Sequence, residues 1–318
     1  MPNGGHITLE DVPVSSLSDD EIAEWITEQP KMKERYSIRS ATLDLWIHIL
    51  RVFDECGAPM TVRQMFYQLE TRGYVEKSEN GYRLTAKNLV QMRKRGVIGY
   101  EFITDNTRWA RRAHTFETLE KCLEYTRETY RKSLWAFQPC YVEIWIEKEA
   151  LIGVIDEVTM KYDVPLMPCK GYPSETFLFS AAQYIKQQNK PTYIYYFGDF
   201  DPTGKDIPRH IEKTLREFEA NFTFEIMAVT EEQIRDFRLP TRPTKKSDTR
   251  AKGWNKESVE LDAIPPKALK DLVEMCILKN MNPREWDRLL EIEKAERETL
   301  DNFFQQLGTS TQIYHASA

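Results

Sequence analysis

The chain has 318 residues, 41% of them hydrophobic, which is enough for more than one packed core. Its formal net charge of −6 lacks the global basic signature of wholesale phosphate neutralisation, so any nucleic-acid contact has to come from local clusters. No uncharged apolar run is long enough to span a bilayer, and Met1 to Pro30 lack the basic-then-apolar order of a secretory leader, so no membrane partner is expected. The expected compartment is the cytoplasm, or the nucleoid in a prokaryote or phage.

Residues 1–38 read as an N-terminal extension. Within it "SDDEIAEWITEQ" places Ser18 three residues before Glu21, the spacing of a capping box that opens a short amphipathic helix. Residues 39–112 carry three helical patterns. "ATLDLWIHILRVFDECG" ends at Gly57, "MTVRQMFYQLETRGY" runs from near Thr61 to Gly73, and "LTAKNLVQMRKRGVI" follows the turn-rich "EKSENGYR". With the β-prone "GYEFITD" behind them, these helices fit a winged helix-turn-helix DNA-binding domain.

The third helix ends in Arg93, Lys94 and Arg95. "RWARR" (Arg108 to Arg112) and "TKKSDTRAKGWNK" (Thr244 to Lys256) are two further basic islands. A solvated face accounts for any one of them, but three together, two containing a Trp, point to nucleic acid.

Residues 113–138 supply a connecting helix, "TFETLEKCLEYTRETYRKSLW". From 139 to 230 apolar strands alternate with helices: "YVEIWIE", "VPLMPC", "TYIYYFGD" and "FTFEIMAV" are separated by helical stretches. This is the pattern of βαβ crossovers in a parallel sheet covered on both faces, so the fold class is α/β. Residues 231–318 read as an extension with one short strand and two or more helices, packing on that domain. The five cysteines have no CxxC spacing and the five histidines form no close pair, so neither a zinc site nor a disulfide framework is expected.

Ligands of an open parallel sheet collect at the carboxyl ends of its strands. Glu147 ends the first strand, and Asp199 and Asp201 end the third. If those strands are neighbours, three carboxylates converge, and their repulsion is relieved by a hard divalent cation, Mg²⁺ or Mn²⁺, with affinity left for phosphate oxygens. The plainer alternative has Asp199 capping the next helix, with Asp201 and Pro202 forming a turn. Gly204 serves either to relieve that turn or to let a phosphate approach the helix N-terminus. Lys148 and Lys170, near the same edge, join Arg93, Lys94 and Arg95 as candidate DNA contacts.

"IEKEALIGVI", "CKGYPSETF" and "GDFDPTGKDI" together resemble the three motifs of the Toprim domain in the topoisomerase VI A subunit and the meiotic double-strand-break transesterase. Cys169 stands where that family usually has Gly, and Thr203 where an aromatic is common; neither is a metal ligand. In "TVRQMFYQL", Arg63, Phe66 and Tyr67 match the family's catalytic-tyrosine motif in an upstream winged-helix domain, with Gln64 in place of the usual acid.

The resemblance implies a winged helix followed by a Rossmann-like Toprim domain. It makes Tyr67 the nucleophile, Arg63 a phosphate-stabilising residue, and Glu147, Asp199 and Asp201 the Mg²⁺ ligands. It further implies a homodimer cutting both strands of duplex DNA through a 5′-phosphotyrosyl link. The chain has no ATP-binding signature, so strand passage would need a separate ATPase subunit. Two other activities fit the residues: a Toprim-type hydrolytic nuclease, in which water attacks, and a non-catalytic DNA-binding subunit.

Overall fold

The computed structural model describes residues 14–29, 38–104, 113–244 and 254–315, with side chains to residue 304. The basic islands at 108–112 and 245–253 lie outside the described residues. Helix α1 (Asp19–Glu28) opens on the expected box: Glu21 N donates to Ser18 Oγ at 3.3 Å, and Ser18 N donates to Glu21 Oε2 at 2.8 Å. It rests on α2 (Ser40–Cys56), which Gly57 terminates with φ +82°. Helix α3 (Val62–Thr71) starts at a second box, made by Thr61 and Gln64.

Helix α4 (Glu79–Lys94) begins earlier than its apolar pattern suggests. Ser78 Oγ accepts the Gly81 N–H at 3.1 Å and draws "ENGYR" into the first turns. The segment "GYEFITD" is not the expected strand pairing of a wing. Tyr100–Phe102 form a 3₁₀ turn, and Ile103 makes one parallel bridge to Met60. The partly buried Phe102 ring meets Phe53 of α2 edge-on at 5.2 Å. The connecting helix α5 (Leu119–Thr129) is also shorter than its pattern, because Leu134 and Trp135 leave it to be buried, with Trp135 Nε1 donating to Tyr162 O at 2.7 Å.

The alternating region forms one all-parallel sheet from β1 (Tyr141–Ile146), β2 (Leu166–Pro168), β3 (Thr192–Phe197) and β4 (Thr223–Ala228), in the order β2-β1-β3-β4. Its crossovers are α6 (Ile152–Lys161), α7 (Glu175–Gln188) and α8 (Pro202–Glu217). The pleat sorts the side chains. Trp145, Ile194 and Tyr196 pack with Leu178, Ile185, Ile207 and Ile211 of α7 and α8. On the other face, Ile144, Ile146, Tyr195 and Phe197 belong to a core that continues into Leu50, Phe53 and Met65 of α2 and α3. The helices before the sheet and the sheet itself therefore share buried apolar surface.

Beyond β4 lie α9 (Glu231–Asp236), a 3₁₀ turn at Leu261–Ala263, α10 (Pro266–Leu278) against α6, and α11 (Pro283–His315). The short strand expected in this extension is reduced to two antiparallel bridges, Arg242 to Ser258 and Phe200 to Val259. No helix among the described residues is long and apolar enough to cross a membrane.

Candidate active site

β1 and β3 are direct neighbours, with Ile146 opposite Phe197. Glu147 and Asp199 therefore leave the same edge of the sheet. Glu147 N donates to Phe197 O at 2.8 Å, and Glu147 Oε2 accepts the Asp199 N–H at 2.9 Å. Gly198 makes this closeness possible, since a Cβ there would lie 2.7 Å from Glu147 Oε2. Asp199 Oδ1 accepts the Leu261 N–H at 2.8 Å and meets Lys148 Nζ at 3.1 Å.

Asp201 behaves differently. Its Oδ1 accepts the Gly204 N–H at 2.6 Å, so the acid that caps α8 is Asp201 and not Asp199. Gly204 is required for close packing: a Cβ there would sit 2.1 Å from the Asp199 carbonyl oxygen. Phe200, between the two acids, turns into the interior and packs on Trp254 at 5.3 Å.

Electrostatics mark the pair. Burial, and then the charge of Asp199, push the Glu147 carboxyl up to about 7. Burial also raises Asp199, with the Lys148 ammonium opposing it. Lys148 Nζ in turn reaches Asp262 Oδ2 at 2.5 Å and Glu260 Oε2 at 3.0 Å. Glu260 also binds Arg63 at 2.8 Å and Arg242 at 3.0 Å. Burial works against ionised Glu260, but Lys148 and Arg63 outweigh it and hold the carboxyl down to about 2.

Glu260 and Asp262 were not legible as site residues. Their signal is the alternation of acids around Leu261 in "VELDAI", a segment that reads as structural support until the chain returns it to the sheet edge.

A cleft of about 670 Å³ opens at this edge, lined by Arg63, Arg93, Glu147, Lys148, Lys170 and Asp262 among others. It unites residues from the helical region before the sheet with residues from the strand ends. Lys170 sits in a left-handed turn, φ +54°, and pairs with Glu149 at 2.7 Å. Of the three basic residues ending α4, Arg93 reaches the cleft, Lys94 is exposed away from the cleft lining, and Arg95 lies over the Trp46 ring at 5.6 Å. A larger groove, about 900 Å³, lies elsewhere and includes Trp135, Tyr141, Asp156 and Tyr184. The smaller cleft is the better site, because it stands at the carboxyl ends of the strands.

Tyr67 does not line the cleft. It is 1% exposed, the Arg242 guanidinium covers its ring at 4.6 Å, and its hydroxyl makes no hydrogen bond of good geometry. Burial, and then the nearby Glu260 carboxylate, push its pKa above that of an ordinary tyrosine. Arg63, one helical turn earlier, is drawn to the same Glu260.

Among the described residues no group of three His, Cys, Asp or Glu side chains stands ready to enclose an ion. The donor chemistry of Glu147, Asp199 and Asp201 nonetheless fits a hard divalent cation. Each carboxylate has one oxygen oriented by a backbone amide and leaves the other without a hydrogen bond to the described residues. The chain matches no protein-family model and no curated protein.

Proposed function

We propose that the protein is a Mg²⁺- or Mn²⁺-dependent enzyme that cleaves phosphodiester bonds of duplex DNA in this cleft. One observation carries the reading: Glu147, which accepts the Asp199 N–H at the carboxyl edge of a parallel sheet, lines a cleft that also holds Arg63, Arg93 and Lys170. The strand order and the three motifs are compatible with the Toprim domain of the topoisomerase VI A subunit, and the helices upstream with the helical part, though not the wing, of its winged-helix domain.

The bound cation would supply Lewis-acid stabilisation of the charge that develops on the phosphate and its leaving oxygen. Glu147, Asp199 and Asp201 would hold it. Arg93 and Lys170 seat the DNA backbone through contacts that carry little sequence information. Tyr67 is the nucleophile assigned by the motif. Once drawn out from under Arg242, its oxygen would attack phosphorus as it gives up its proton; the bond to the 3′ oxygen breaks, that oxygen leaves as a 3′-hydroxyl on taking a proton, and a 5′-phosphotyrosyl link forms. In the family the resemblance points to, the tyrosine of one subunit serves the acids of another, so a homodimer is part of this reading.

A second reading, hydrolysis by water, is favoured by the burial of Tyr67 beneath Arg242. In it the same acids and cation serve, and no covalent link forms. Incubation of supercoiled plasmid with the protein and Mg²⁺ or Mn²⁺ tests both. Cleavage by wild type that chelation and Asp199→Ala each abolish is the expected result, and cleavage indifferent to both would refute the proposal.

A further inference from the structure

The Lys148 ammonium is surrounded by carboxylate oxygens from three segments: Asp262 at 2.5 Å, Glu260 at 3.0 Å and Asp199 at 3.1 Å. Its partners differ in exposure: the Asp262 side chain is 2% exposed and that of Asp199 12%, while Lys148 and Glu260, at 20% and 22%, keep an edge open to the cleft. Several acidic oxygens converging on one point of positive charge is what a hard divalent ion demands, and here a tethered ammonium holds that place.

The charges of the network close on themselves. Lys148, Arg63 and Arg242 face Glu260, Asp262 and Asp199, three cations against three carboxylates. Glu147 and Asp201 stand outside this balance; neither has an ion-pair partner within 4 Å among the described residues. Two-metal phosphoryl sites place their ions about 4 Å apart. A carboxylate shared between both positions suits such a spacing. Asp199 has that place here, with Oδ1 on Lys148 and Oδ2 without a hydrogen bond to the described residues.

We propose that Lys148 fills the second cation position of this crevice, so that each chain takes a single divalent ion, held by Glu147, Asp199 and Asp201. The inference rests on the metal-site reading above. It makes Lys148 a built-in electrostatic partner of the ion, in addition to any contact with DNA. A lysine that only ties segments together would, when removed, weaken the fold without changing the number of ions bound.

Calorimetric titration of the full-length protein with Mn²⁺, in parallel with electron paramagnetic resonance of free Mn²⁺, counts the ions. Wild type and Lys148→Arg should bind one Mn²⁺ per chain. Lys148→Met should bind two, and the second should vanish when Asp262→Asn is added. Two ions in wild type, or one in Lys148→Met, would overturn the inference and leave the metal reading intact. No ion bound to wild type would overturn the metal reading and the inference with it. If Lys148→Met does not fold in metal-free buffer, Mn²⁺ should restore its cooperative melting by binding the folded state. Failure of Mn²⁺ to do so would count against the inference.

Discussion

Glu147 accepts the backbone N–H of Asp199 at 2.9 Å, which ties the end of β1 to the end of β3 and sets two acids side by side at one edge of the sheet. Burial first, and then the charge of Asp199, raise the Glu147 carboxyl against the pull of the Asp199 N–H and Lys148. If that pair holds the catalytic cation, Asp199→Ala should lower the initial rate of Mg²⁺-dependent plasmid nicking by about two decades or more. Several kcal/mol of charge stabilisation would be lost, at about 1.4 kcal/mol per decade.

Gly204→Ala should damage the fold and the site together. The added Cβ would meet the Asp199 carbonyl oxygen at 2.1 Å, and a backbone atom cannot give way as a flexible side chain can. Overpacking of this kind costs about 1–3 kcal/mol. Thermal melting should show the loss, and the displaced Asp199 should weaken Mn²⁺ binding.

The strands and helices around the site were legible because their signals are local. Apolar runs such as "YIYYF" mark buried parallel strands, and Ser18 and Thr61 stand where helices begin. The meeting of Glu147 with Asp199 required only that β1 and β3 be neighbours, as they are. The partners of Lys148 were hidden for a different reason. Glu260 and Asp262 lie more than a hundred residues downstream, and only the return of the chain after α9 brings them to the edge. "GYEFITD" misled because β propensity scores a residue's fit to a pleated surface, whereas Phe102 finds its burial against Phe53.

Glu260 should be the acid whose removal costs the fold most. Glu260→Gln leaves Lys148, Arg63 and Arg242 short of a partner in a partly buried network, and breaking such a network costs about 3–5 kcal/mol. Its folded pKa, about 2, lies below the unfolded value, so its contribution is full above the ordinary carboxylate range and disappears as pH falls through about 2. Denaturant melts of wild type and variant should therefore converge in strong acid and diverge at neutral pH.

Glu143 should act with the opposite sign. It is 1% exposed within β1, accepts a hydrogen bond from Trp145 Nε1 at 2.7 Å, and burial pushes its carboxyl up to about 7. The folded state then holds a proton that the unfolded state releases near pH 4.5, so this group favours folding below that pH and its contribution is lost as pH rises to about 7. Glu143→Gln should remove that slope. The variant's advantage over wild type should grow across the window to roughly 3 kcal/mol at pH 8, at about 1.4 kcal/mol per pKa unit. Chemical denaturation at a series of pH values measures the difference.

The most direct measurement is a search for an SDS-resistant protein–DNA adduct after incubation of plasmid with Mn²⁺, using wild type, Tyr67→Phe and Asp199→Ala. The Tyr67 hydroxyl is buried with no hydrogen bond of good geometry to the described residues, so Tyr67→Phe should melt close to wild type, and a melting comparison of the two separates chemical loss from loss of fold. Wild type should cleave the DNA and retain it covalently, and both variants should do neither. Undiminished cleavage by Tyr67→Phe with no adduct would replace the tyrosine with water, and the absence of Mn²⁺-dependent cleavage by wild type would contradict the account.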